Sequence, residues 1–132
     1  MLDFWIGRWN VLAEDGALLG TDVVAPAVGG EAVLEHWRGA GGDEGESLFY
    51  RDPSTGIWRQ VWVQAGCVKE KRHDLEWRDG VRFAGHAYLG DRVLADRTTL
   101  TPLPGGRVRQ VIEQSRDGVD WRVGFDAVYV RD

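Results

Sequence analysis

Hydrophobic and polar positions alternate along much of this chain with a period of two. In Trp121–Arg131 the odd positions Trp121, Val123, Phe125, Ala127 and Tyr129 form one apolar face, while the even ones begin Arg122, Gly124, Asp126 and end Val128, Val130. In Ile57–Gln64 the even face reads Trp58, Gln60, Trp62, Gln64 and the odd face Ile57, Arg59, Val61, Val63. Such alternation predicts strands rather than helices. Only Asp3–Arg8 could hold a helical turn.

The punctuation between these segments is that of hairpins. Asp15-Gly16, Asp79-Gly80 and Asp117-Gly118 tolerate the positive φ angles of a type I′ turn, and Gly29-Gly30, Gly90-Asp91 and Gly105-Gly106 break the chain similarly. In Asp52-Pro53-Ser54-Thr55-Gly56 proline presets one φ and glycine closes the turn. The strands so delimited are Trp9–Ala13, Leu18–Val24, Ala32–Arg38, Ser47–Arg51, Ile57–Gln64, Val68–Trp77, Val81–Tyr88, Arg92–Thr101, Arg107–Ser115 and Trp121–Arg131. Gly39–Gly45 reads as the most mobile loop. Short strands at even spacing without helices form a sandwich or a barrel. Neither face of Ile57–Gln64 is cleanly polar; an aromatic-plus-amide face suits a wall lining a cavity better than a dry core. Closure also removes exposed strand edges. The expectation is an all-β, antiparallel up-and-down barrel of about eight to ten strands, one domain over residues 1–132.

Composition narrows the partners. The 132 residues carry 16 basic and 21 acidic side chains, a net charge of −5, which argues against a nucleic-acid backbone or an anionic membrane as partner. No basic n-region opens the chain and no apolar run is long enough to span a bilayer, so a cytoplasmic location is expected. One cysteine excludes a disulfide framework and a Cys-rich zinc site. Only Lys69 and Lys71 are lysines, the Arg-heavy balance that a GC-rich genome produces. No cofactor is implied. An outward apolar stripe on one strand could make a homodimer.

Seven tryptophans stand out. Trp37, Trp58 and Trp62 share an inward face by parity, and rigid aromatic walls bind flat or apolar ligands with little entropy loss. Trp77 and Trp121 lie near turns and read as rim or surface. Polar residues of matching parity are Glu35 beside Trp37 and Gln60 between Trp58 and Trp62; Gln110 shares a face with Val108 and Ile112, and Tyr50 with Leu48. A buried polar group needs a partner, water or ligand. Facing a dry cavity, Glu35 would hold its proton more tightly and could serve as a general acid or base. Of His36, His73 and His86 none has metal-ligand spacing, though His36 and His86 could meet across a barrel. Gly45-Glu46-Ser47 lacks the rest of a nucleophile elbow, Cys67 reads as an ordinary thiol, and the glycine loop lacks a phosphate-binding ending.

Gly7-Arg8-Trp9, following a short N-terminal turn, resembles the Gly-x-Trp signature of lipocalins and their calycin relatives. The resemblance implies that Trp9, with Trp5, plugs one end of the barrel and that Arg131 from the last strand lies across Trp9 as a cation–π partner. The whole chain is similar to bacterial lipocalin-like domains of unassigned function, which share the opening, a Trp-x-Gln-x-Trp strand (Trp58, Gln60, Trp62) and a Phe-Asp-x-x-Tyr ending (Phe125, Asp126, Tyr129). The two lid helices of the fatty-acid-binding branch have no room here, since only Glu14–Ala17 separates the first two strands. These features predict non-catalytic binding of a small hydrophobic or aromatic molecule by Glu35, Trp37, Tyr50, Trp58, Gln60, Trp62 and Gln110. One alternative is acid/base isomerisation, dehydration or cyclisation of a hydrophobic substrate in the same cavity. A second is haem binding through a histidine, although the last strand contains none.

Overall fold

Ten antiparallel strands close into a barrel in the computed structural model, which describes residues Met1–Asp132. They are β1 (Gly7–Leu12), β2 (Leu18–Ala27), β3 (Ala32–Gly39), β4 (Glu44–Arg51), β5 (Trp58–Gln64), β6 (Cys67–His73), β7 (Val81–Leu89), β8 (Arg92–Leu103), β9 (Arg107–Ser115) and β10 (Arg122–Arg131). Each pairs with its neighbours in sequence, and β1 closes on β10 from Trp9 opposite Arg131 to Leu12 opposite Val128. The architecture is therefore up-and-down, and a single 3₁₀ turn, Asp3–Trp5, precedes it. No helix is long and apolar enough to cross a membrane.

Each expected strand has its counterpart, and the differences have local causes. The two-residue links are Ala65-Gly66 and Gly90-Asp91, with Gly66 and Gly90 at φ 79° and 73°. The Asp-Gly dipeptides sit in longer loops instead. β6 stops at His73 rather than Trp77 because the Asp74 carboxylate accepts the Glu76 backbone N–H at 3.0 Å and turns the chain. The ends of the glycine stretch belong to the sheet: β3 runs to Gly39, β4 starts at Glu44, and the Gly39 N–H donates to the Asp43 carbonyl at 2.8 Å. In β10 a bulge at Gly124 breaks the parity, so Phe125 faces inward while Val123 is exposed and Trp121 lies outside under Arg97, 3.8 Å from its ring.

One end of the barrel is solid. Trp5, Trp9 and Tyr129 pack there with Val11, Val24, Val33, Phe49, Phe83, Leu100 and Val108. The Trp5 and Trp9 rings stack at 6.0 Å, Tyr129 lies 4.8 Å from Trp5, and the Trp9 indole N–H donates to the Trp5 carbonyl at 3.0 Å. Arg131 covers this plug, its guanidinium carbon 4.3 Å from the Trp9 ring centre and one N–H bonded to the Ile6 carbonyl at 3.0 Å. The Gly-x-Trp triplet acquires a physical meaning here: a Cβ at Gly7 would collide with that guanidinium. On the outer wall, exposed apolar side chains run across strands rather than along one, as Leu34 beside Leu48 and as Val63, Val68, Tyr88 and Val93 in register.

Candidate functional site

Beyond the plug the barrel is hollow. The cavity, about 270 Å³, is bounded below by the buried side chains of Glu35, Gln60, Lys71, Thr98, Gln110 and Tyr129. Trp37, Trp62, Phe125 and the ends of Asp43, Gln64 and Gln114 form its half-exposed rim. Trp37 meets Phe125 edge to face at 6.1 Å and donates its indole N–H to Asp43 at 2.9 Å; Trp62 donates to Gln64 at 2.8 Å. Two glycines let these rings lie back against the wall. A Cβ at Gly20 would overlap the Trp37 ring, and one at Gly45 would overlap that of Trp62.

Glu35, Trp37, Gln60, Trp62 and Gln110 thus share one hollow. Trp58 faces inward as well but lies deeper, packed against the plug. Tyr50 does not join them. It lies on the outside with Leu48, in a groove with Arg59, Arg72 and His86, because Ser47 and Phe49 take the inward positions of β4. His36 and His86 do not meet across the barrel: His36 is bridged on the outer wall by Glu44 at 2.6 Å and Glu46 at 2.8 Å, and His86 is exposed beside Tyr88. His73 packs near Phe83, where burial lowers its affinity for a proton.

Two polar clusters face each other across the floor. On the β6–β8 side, the Lys71 ammonium donates to Asp96 and to Thr98, both at 2.7 Å; Lys69 reaches the other Asp96 oxygen at 3.0 Å, which also accepts from Gln114 at 2.9 Å. Asp96 is 0% exposed. Its burial would raise the carboxyl, yet the two lysines and the bonds from Lys71 and Gln114 hold it below the usual range. Burial pushes Lys71 down to about 8, against the opposing pull of Asp96.

On the β2–β3 side, Asp22 is also 0% exposed, and neither of its oxygens receives a bond from a donor of the fold. The carboxyl meets Glu35 instead. Two carboxyls can bond only when one carries a proton. Burial first, then the neighbouring Glu35 charge, push Asp22 up to about 12, so it is the proton carrier at neutral pH. Tyr129, which accepts the Gln110 amide, is likewise raised well above its ordinary value by burial and by these carboxyls.

Asp22, Lys69, Lys71 and Asp96 are not found by alternation, which sends charges outward. The one available signal lies in the composition: the only two lysines of the chain both point into the barrel. Lysine is the slimmer cation and the one that burial can neutralise. No protein-family model matches the chain, and no curated protein matches it.

Proposed function

We propose that this is a cytoplasmic, lipocalin-like binding protein whose barrel cavity holds a small hydrophobic or aromatic molecule without transforming it. One observation carries the reading: a hollow of about 270 Å³, walled by aromatic rings that are held back by glycines, opens above a floor of inward hydrogen-bonding groups. Pockets of this kind bind through apolar area and orient through a few polar atoms. The plug supplies an apolar core of its own. The similarity of Gly7-Arg8-Trp9 and Arg131 to the lipocalin closure supports the same reading.

Native mass spectrometry of the purified protein tests it, since a copurifying molecule reports its own class. The Trp62→Ala variant should fold with little loss and weaken that ligand about tenfold, equivalent to ~1.4 kcal/mol. Trp58→Ala should chiefly cost stability. A ligand bound equally well by the Trp62→Ala variant would place it elsewhere.

A second reading, proton transfer on a bound substrate, is favoured by Glu35 facing the cavity with the protonated Asp22 behind it. A native ligand recovered unchanged after long incubation with excess protein argues against it.

A further inference from the structure

The floor has specific unmet bonding capacity. Gln60 is 6% exposed; its amide nitrogen is held by Ser47 at 2.9 Å, and its oxygen has no partner. Turning the amide over would only exchange an unmet acceptor for an unmet donor. Glu35, 7% exposed, has no ammonium or guanidinium within 4.0 Å. Lys71, the register partner of Gln60 on the adjoining strand, spends two of its three N–H bonds on Asp96 and Thr98, leaving one. An unmet acceptor and a free donor therefore sit side by side on β5 and β6, with Glu35 on β3 as a second acceptor.

Charge sets a second condition. Lys69 and Lys71 contribute two positive charges, and Asp96 and Glu35 two negative ones, while Asp22 keeps its proton. The interior is balanced, so a ligand bringing one net charge would leave that charge without a counter-ion in a poorly solvated site.

We infer that the cavity selects an aromatic molecule whose buried head is uncharged and carries a hydrogen-bond donor and acceptor side by side, as a carboxamide or lactam does. The donor would meet Gln60 and Glu35, the carbonyl would meet Lys71, and the ring would lie among Trp37, Trp62 and Phe125. This rests on the binding reading above and adds the chemistry of the head to it. It distinguishes the site from one for hydrocarbons or fatty acids, since a bare apolar head would strip water from these groups and replace none of its bonds.

Four probes that share one ring test it: benzamide, benzoate, benzylamine and toluene, each titrated at pH 7 against the wild-type protein by ligand-observed NMR. Benzamide should bind at least tenfold more tightly than each of the others. Gln60→Leu should cut the preference for benzamide over toluene to under threefold, and Trp62→Ala should weaken all four alike. Toluene binding as well as benzamide would overturn the polar-head inference and leave an apolar binding cavity standing. Tighter binding of benzoate or of benzylamine would overturn the charge argument. A benzamide preference untouched by Gln60→Leu would overturn the placement of the head. Failure of all four to bind saturably would remove the binding reading itself.

Discussion

Asp22→Asn should stabilise the protein, and by an amount that grows with pH. In the unfolded chain Asp22 ionises near its ordinary value of 3.8, whereas in the barrel it holds its proton up to about 12. Across that interval the folded state binds one more proton than the unfolded state, so stability falls as pH rises, by about 1.4 kcal/mol per pH unit. The whole effect is absent below the unfolded value. At pH 7 it is of the order of 4 kcal/mol, comparable with the smaller total stabilities of domains this size. Asparagine does not titrate, and its amide N–H can donate to Glu35 as the protonated carboxyl does, so the variant avoids the cost.

Urea melts of both proteins at pH 5, 6 and 7 measure this. The variant-minus-wild-type difference should widen by roughly 3 kcal/mol over that range. Taking the difference matters because His73, lowered by burial, gives both proteins an opposing slope near its ordinary 6.5. Lys71 enters only above about 8, and the Asp96 contribution is already complete above its ordinary value of 3.8. A difference that stays flat with pH, or an Asp22 carboxyl carbon whose NMR shift titrates near pH 4, would refute the protonated carboxyl pair.

The opposite cluster should respond in the opposite sense. Asp96→Ala strands two ammoniums inside the barrel and should cost about 3–5 kcal/mol at pH 7. Its loss should shrink in melts at pH 9.5, where Lys71 can shed its proton. Gly45→Ala places a Cβ where the Trp62 ring lies, and should cost roughly 1–3 kcal/mol and alter tryptophan emission and acrylamide quenching. An unchanged spectrum would mean that the ring does not rest on that strand.

Alternation read in one dimension located five members of the cavity, because Trp37, Gln60, Trp62, Glu35 and Gln110 occupy unbroken stretches of strand where every second residue points inward. It failed where a second coordinate was needed. Parity grouped Tyr50 with Leu48 correctly but could not say which face was the inner one; Ser47 and Phe49, small and apolar, fill it instead. Trp58 has the right face and the wrong depth, since position along a strand decides between the plugged end and the hollow one. Trp121 and Val123 were displaced by one extra residue at Gly124. Asp22 and Lys71 were invisible for a stronger reason. A charge at an inward position contradicts the rule that identifies inward positions, and only pairing across the barrel makes it tolerable.

That contradiction bears on function. A buried, balanced set of ionic groups is seldom the most stable way to fill an interior; apolar side chains of the same volume commonly do as well or better. Here an apolar interior exists, yet beside it the chain turns Asp22, Glu35, Lys69, Lys71 and Asp96 inward, Asp22 and Asp96 fully buried. Gly20 and Gly45 act in the same direction, since each gives up side-chain packing to keep a tryptophan ring out of the lumen. Apolar packing and cavity are therefore separable along the barrel axis. Changes at the plug should melt the protein without altering which molecule fits, whereas neutral substitutions on the floor, Asp22→Asn among them, can raise the melting temperature while loosening the choice of ligand. A floor substitution that lowered stability and left ligand choice intact would mean that these polar groups serve the fold rather than the site.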